Sequence, residues 1–590
     1  MKKKSILSII LSGVLVTGML NFGTIANAAT GSTDTITVLA TTDVHGSVLN
    51  YDYATGKEPS KPQGLAKIST YVKQVRSGNE NVMLIDNGDT IQGTPLTYYY
   101  DLIDTKKEYP MAKVMGAMKY DSWELGNHEF NYGLDVLSRI MDDYKKQNIP
   151  VLGGNIYKED GSNFAQPYIM KGFKVNEKNI KVAVIGLENK CIPYWEDASH
   201  YEGLTFNDPV DEAKKWVKVV RDKGADIVIV SVHSGEGGAA SSEAEAGALP
   251  ENQADEIARK VSGIDAIVAG HAHTMANDLE QKNPEGKIVP IIESTKGATA
   301  LAQIDMKIDK DGKLADIKTK NVVMDKTIGE DPEIVELIKP YQEETLKYVD
   351  TKIGTSTGEF TGAGQTTQPT AIMELINKVQ KDSAKADLSI AAPLSASCYI
   401  GKGDVTIKDM MSVYVFENFL YGVKMTGKQV KDWMEYSARY YAQTTNGNTT
   451  IGKDTKLNIP DFNLDQLYGA TYDIDLTQPA CTVDQETGRV ISGNRIKNLK
   501  INGVEVKDSD VFTVAINNYR YNGGGNFIKA AGIDISDPSV TTYDSGKALG
   551  DDGQVRNLMI DYIQKHGSIS PDCSNNWKMI TSGAQNKKAA

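Results

Sequence analysis

The stretch Glu124-Leu125-Gly126-Asn127-His128-Glu129 decides how this chain is read. It follows Ala117-Met118-Lys119-Tyr120-Asp121-Ser122-Trp123, which reads as a short strand. Gly126 is expected to turn the chain there and deliver Asn127 and His128 at the strand's C-terminal end. Asn127 offers a neutral amide oxygen, and His128 an imidazole that can carry a proton near neutral pH. An isolated Asn-His pair means little; the weight of this one comes from what surrounds it.

The chain has seven histidines, and five of them follow short apolar runs. Ile36 to Ala40 leads into Asp43-Val44-His45-Gly46, and Val82 to Ile85 into Asp86-Asn87-Gly88-Asp89. Ile227 to Val232 leads into His233-Ser234-Gly235, and Ile264 to Gly270 into His271-Ala272-His273. Continuous apolar runs closed by glycine and polar residues read as buried strands of a parallel or mixed sheet. In such sheets the ligand crevice lies at the strand C-termini. Asp43, His45, Asp89, Asn127, His233, His271 and His273 are therefore expected to converge. Any one alone would be an ordinary loop residue. Together they are the imidazole and carboxylate set that two divalent cations take, with one shared oxygen donor.

The 590 residues suggest two or more domains, and 40% apolar content supports a core. A net charge of −13 argues against a nucleic-acid polymer as partner. It leaves small nucleotides open, because cations can supply local positive charge. Met1-Lys2-Lys3-Lys4, an apolar run to Leu20 and Ala26-Asn27-Ala28 predict a signal peptide over 1–28, cleaved near Ala28. The mature chain is expected to be a monomer outside the cytoplasm, with no stable membrane anchor. Cys191, Cys398, Cys481 and Cys573 lack metal-type spacing, so disulfides and buried thiols both remain open.

From Asp34 to Val323 strands alternate with helical stretches such as Gly64 to Lys73 and Asp211 to Arg221, the pattern of an α/β domain. Asp331-Pro332-Glu333 opens a charged helix to about Tyr348, expected to link the two halves. An α+β domain follows. Two of its stretches stand out: Ser412 to Tyr421, which contains Phe416, and Tyr519-Arg520-Tyr521-Asn522-Gly523-Gly524-Gly525. An aromatic before glycines offers a stacking face where backbone can approach a ligand, although core aromatics and a glycine turn would give the same pattern.

The set Asp43-x-His45, Gly88-Asp89, Gly126-Asn127-His128-Glu129, His233-Ser234-Gly235 and Gly270-His271-x-His273 resembles the calcineurin-type metallophosphoesterase signature. With the N-terminal leader and the Tyr519 to Gly525 stretch, the chain resembles the secreted 5′-nucleotidase superfamily. The resemblance implies an N-terminal metallophosphoesterase α/β sandwich over 34–325, a linker helix over 326–352, and a C-terminal α+β nucleoside-binding domain over 353–582, before a polar tail over 583–590. It implies that Asp43, His45, Asp89 and His273 bind one cation. Asp89, Asn127, His233 and His271 would bind a second, with Asp89 shared. Mn, Zn, Co, Fe and Ca all suit these donors. A water activated between the cations would attack phosphorus, with His128 stabilising the transition state or protonating the leaving oxygen. Phe416 and Tyr519 would clamp the base beside Gly523, Gly524 and Gly525.

The sequence departs from true 5′-nucleotidases in three places. Asn131 stands where their motif has an Asp behind the catalytic histidine; it can bond the ring but brings no charge. Ala391-Ala392-Pro393-Leu394-Ser395-Ala396 replaces an arginine-bearing glycine element, and Gly525 replaces an Asp. All three departures suggest a nucleoside bound in another orientation. The run Gly126 to Gly133, with Asn131-Tyr132-Gly133, and Tyr519-Arg520 before the glycines resemble the bifunctional 2′,3′-cyclic-nucleotide 2′-phosphodiesterase/3′-nucleotidase branch. The implied activity opens the cyclic phosphate to a 3′-nucleotide, then releases nucleoside and phosphate. The rivals are a 5′-nucleotidase or nucleotide-sugar hydrolase, an inactive secreted nucleotide-binding protein, and a protein phosphatase, which would leave the second domain without a role.

Overall fold

The computed structural model describes residues 34–237 and 250–582. The leader expected over 1–28 and the tail expected over 583–590 lie outside the described residues.

Among the described residues, fourteen strands build the N-terminal half. They are β1 (Thr35–Thr41), β2 (Val82–Asp86), β3 (Ser122–Glu124), β4 (Val151–Leu152), β5 (Ile156–Lys158), β6 (Tyr168–Val175), β7 (Lys178–Glu188), β8 (Leu204–Phe206), β9 (Ile227–His233), β10 (Ala266–Ala269), β11 (Ala276–Lys282), β12 (Ile288–Glu293), β13 (Ala300–Ile308) and β14 (Leu314–Val323). Two six-stranded sheets result, ordered β14-β13-β1-β2-β3-β4 and β11-β12-β10-β9-β7-β6, while β5 and β8 pair apart. β1, β2, β3 and β4 run parallel, as do β7, β9, β10 and β12. Antiparallel β13, β14, β6 and β11 complete the two sheets.

Side chains alternate across a strand, so a strand covered on both faces is apolar at every position. Ile36, Val38 and Ala40 of β1 meet Ile227, Ile229, Ala266 and Val268 of β9 and β10 between the sheets. Leu39 faces the opposite way, into a helical layer containing Leu65, Ile68, Met115 and Tyr144. Val228, Val230 and Val232 of β9 face a second helical layer through Val217 and Ile257. The half is thus a helix–sheet–sheet–helix sandwich.

Helices start where the sequence marks them. Asp208 and Asp331 each accept a backbone N–H two residues on, and Pro209 and Pro332 open the helices Pro209–Asp222 and Pro332–Val349. The second is the helix expected to open at Asp331-Pro332-Glu333; Ile334, Ile338 and Tyr341 pack it into the first helical layer. One expectation is corrected. Ala117 and Met118 do not begin a strand but end the helix Pro110–Met118, which Lys119 closes at φ 60°. Ala and Met favour helix, and only Ser122–Glu124 reach the sheet.

In the C-terminal half a five-stranded sheet runs Gln466–Tyr468, Leu388–Ala391, Val511–Asn517, Leu420–Thr426, Thr541–Asp544. Helices Ala371–Ser383 and Val555–His566 cover one face. Helix Gly427–Ser437 covers the other. Among the described residues, which include all four cysteines, no disulfide is formed. Among the same residues no helix is long and apolar enough to cross a membrane.

Candidate active site

The strand ends bring the expected residues together from both sheets. Asp43 and His45 follow β1, Asp89 follows β2, and Asn127 and His128 follow β3; His233 ends β9, and His271 and His273 follow β10. Asp43, His45, Asp89 and His273 form one group of converging ligand atoms, and Asp89, His233 and His271 a second that shares Asp89. Asn127 Oδ1 joins the second group, 2.8 Å from His271 Nδ1. Asp43, His45, Asp89, His271 and His273 all have φ between 48° and 73°. Non-glycine residues rarely adopt that region, and such strain concentrates at functional sites.

Five of the donors are aimed by a bond at their other end. His45 Nδ1 lies 2.9 Å from the Gln92 carbonyl, and His233 Nδ1 lies 2.7 Å from the Asn87 carbonyl. A ring nitrogen facing a carbonyl must carry the proton, which leaves Nε2 as the free donor. His271 is reversed: its Nε2 faces Glu251 at 2.7 Å, so Nδ1 points inward. Its ring stacks on Trp195, with centroids 5.1 Å apart. Asp43 Oδ2 accepts from Thr42 Oγ1 and His271 N, which turns Oδ1 to the centre. Asp89 Oδ1 accepts from His128 N at 2.8 Å, leaving Oδ2 3.1 Å from His233 Nε2 and 4.0 Å from His128 Nε2.

Glu129 ties this together. Its carboxylate accepts the backbone N–H groups of Asp89, Thr90, Ile91 and Gly126. Burial, and next the nearby Asp89, push its carboxyl up to about 7. Gly126 is extended rather than turned, at φ −106°. It is glycine because a Cβ would sit 2.4 Å from Asp89 Oδ1.

These donors fit divalent cations. Asp43 Oδ1 and His233 Nε2 are buried and face other donors of the centre, His273 Nε2 at 3.3 Å and Asp89 Oδ2 at 3.1 Å. His45 Nε2 and His273 Nε2 face one another at 3.0 Å. Burial pushes the Asp89 carboxyl up, but the imidazoles of His233, His128 and His45 hold it well below the usual range. Burial and the neighbouring His273 push His45 down to about 3. A buried centre that keeps Asp43 and Asp89 ionised and His45 and His273 neutral accommodates positive charge. Against burial, Asp89 raises the proton affinity of His233 well above the ordinary value, a charge that a cation would supply instead. The donors are nitrogen and oxygen with no thiolate, which suits hard or borderline ions.

His128 stands beside the groups. Its Nδ1 lies 2.7 Å from Asn131 Oδ1. Burial lowers its affinity for a proton, but Asp89 and the Asn131 bond raise it above the ordinary value.

The C-terminal half contributes a glycine loop. Asn517 caps the short helix Asn518–Tyr521, and Gly523 to Gly525 follow. The Tyr519 ring lies over Gly524, where a Cβ would stand 2.4 Å away, and Phe462 meets it edge-on at 6.4 Å. Phe416 lies half-buried between helix Ile407–Val413 and strand Leu420–Thr426. Buried Arg520 organises the loop: it pairs with Asp465 at 2.9 Å and donates to Asn463 Oδ1 and to the carbonyls of Gly524 and Phe462. The loop reaches the N-terminal half through Asn522 Nδ2, which donates to the Glu196 carbonyl at 2.6 Å.

Sequence reasoning missed Glu129, Glu251, Trp195, Gln92, Asn463 and Asp465. Only Glu129 carried a signal, as the last residue of the motif.

Comparison with known proteins agrees with the fold. The calcineurin-like phosphoesterase family matches residues 36–275, and the 5′-nucleotidase C-terminal domain matches residues 352–532. The Bacillus subtilis trifunctional nucleotide phosphoesterase protein YfkN is 32% identical over 92% of this chain, which spans 39% of that protein's length. The 2′,3′-cyclic-nucleotide 2′-phosphodiesterase/3′-nucleotidase of Haemophilus influenzae is 30% identical over 94% of this chain and 88% of its own. In fold, a crystal structure of a Staphylococcus aureus protein provisionally named a 5′-nucleotidase superposes with a TM-score of 0.74 at 24% identity, over 92% of this chain and 99% of its own.

Proposed function

Because the chain belongs to the calcineurin-like phosphoesterases that carry a 5′-nucleotidase C-terminal domain, we propose that it hydrolyses 2′,3′-cyclic nucleotides to 3′-nucleotides and these to nucleoside and phosphate. The observation that carries the reading is the position of Asp89, shared by two converging ligand groups with His128 Nε2 4.0 Å away. The Haemophilus relative's named activity supports the branch. So does Asn131, the residue that sets the chain apart from the 5′-nucleotidase motif.

Asp43, His45, Asp89 and His273 would hold one divalent cation, and Asp89, Asn127, His233 and His271 a second. Bound there, the pair supplies charge neutralisation and an activated water for attack on phosphorus. His128 then presents Nε2 to the departing ribose oxygen, held in orientation by Asn131. Tyr519 and Phe416 offer faces for the base, and stacking on them is tolerant of base identity. Both steps use the same groups, because each expels a ribose oxygen from phosphorus. The leader read over 1–28 supports action outside the cytoplasm.

The deciding experiment is phosphate release from 2′,3′-cyclic AMP, 3′-AMP and 5′-AMP by the mature chain with Mn²⁺. Preference for the first two is expected. Preference for 5′-AMP would overturn the branch, and no release with cations bound would leave a nucleotide-binding protein.

A further inference from the structure

Asn131 brings no charge to His128, yet a carboxylate stands directly behind it. Asn131 Nδ2 donates to Glu196 Oε1 at 2.5 Å, while its Oδ1 faces His128 Nδ1 at 2.7 Å. An amide has one accepting and one donating end. A carboxylate only accepts, so it fixes the amide with Nδ2 outward and Oδ1 toward the ring. Asn131 is 7% exposed and Glu196 6%, so little solvent intervenes. The second oxygen of Glu196 lies 3.1 Å from His200 Nδ1. The geometry points to Glu196 as the positioning residue of His128: it locks the Asn131 amide and supplies, one hydrogen bond further out, the negative charge that Asn131 lacks. This rests on the role proposed above for His128.

The same segment touches the C-terminal half at several points. The Glu196 carbonyl accepts from Asn522, Asp197 Oδ2 accepts from the Tyr421 hydroxyl at 2.5 Å, and the His200 ring meets Phe419 at 5.5 Å. The orientation of His128 is thereby held from the half that would carry the nucleoside.

The test is a double-mutant cycle read in kcat and KM on 2′,3′-cyclic AMP, with His128→Ala alongside. Glu196→Gln is expected to lower kcat about 10- to 100-fold, with KM changed less than about threefold. Asn131→Asp alone should also lower kcat, because two carboxylates at that spacing cannot both stay ionised. In the double variant, Asn131→Asp with Glu196→Gln, the new carboxylate faces Nδ1 directly and the new amide behind it can donate to it. There kcat should recover to within about threefold of wild type.

Wild-type kcat in Glu196→Gln would overturn the proposal, as would a double variant no better than Glu196→Gln alone. Should the Glu196 variants fail to fold, Asn131→Asp still decides, since undiminished kcat with Glu196 in place contradicts it. Full activity in His128→Ala would instead refute the role of His128, and the Glu196 proposal with it.

Discussion

His271 and Glu251 are joined at 2.7 Å through Nε2, which leaves His271 Nδ1 as the nitrogen that faces Asn127 Oδ1. The ring therefore enters the centre in the opposite sense to His233, whose Nδ1 is the nitrogen held by backbone.

Glu251→Gln should weaken that hold without removing a donor. Losing such an outer partner costs about 10- to 100-fold in metal affinity. The Mn²⁺ concentration giving half-maximal phosphate release should rise accordingly, with kcat at saturating Mn²⁺ near wild type. An unchanged Mn²⁺ requirement would mean that Trp195 alone suffices to fix the ring.

Gly524→Ala should act on the nucleoside and not on phosphorus. Its Cβ would stand 2.4 Å from the Tyr519 ring, which must move. KM for nucleotides should rise about fivefold or more, in line with the loss of roughly 1–3 kcal/mol when an aromatic stacking face is removed. Turnover of p-nitrophenyl phosphate should not change, and Tyr519→Ala should behave likewise. Equal losses on both substrates would contradict a base clamp.

Arg520→Ala leaves Asp465 buried without its cation. Both side chains are almost fully buried, at 4% and 1% exposure, so the loss should be about 3–5 kcal/mol. Equilibrium denaturation in urea is the measurement. A change under about 1 kcal/mol, the value of an exposed pair, would mean that water enters to replace the guanidinium.

His200 makes stability depend on pH. Burial disfavours its charge, but the Glu196 carboxylate outweighs this and raises its affinity for a proton above the ordinary value. The stabilisation is fully present below the unfolded histidine value of roughly 6.5 and is lost as pH rises through the higher folded value. The Tm difference between wild type and His200→Gln should therefore shrink from pH 6 towards alkaline pH. A constant difference would mean that the pair does not titrate.

That the seven residues converge can be read from sequence because each lies at or just past a strand end, most of them after an apolar run, and parallel strands point their ends the same way. What holds them cannot. Gln92 and Asn87 act through backbone carbonyls, for which any side chain would serve. Glu251 reaches the site from a loop, and Trp195 and Glu196 from the end of the short helix Ile192–Trp195, and no periodicity reveals the position of either. The split into two sheets is also hidden, because the apolar runs are alike whichever sheet they join. Ala117 and Met118 read as strand because an apolar pair so short fits either periodicity.

β1 lies between β2 and β13, with Thr35 opposite Lys307 and Ala40 opposite Ala302. The strand that carries Asp43 and His45 thus waits for a partner made more than two hundred residues later. Such distant pairing is slow, because loop-closure entropy must be overcome before the contacts form. While the chain is still growing, β1 has an open edge, and a fragment ending before Ala300 would keep it and tend to aggregate. The centre cannot form vectorially from the N-terminus. It assembles when the sandwich closes, so holding the chain unfolded until synthesis is complete would cost this protein little that it could have gained earlier.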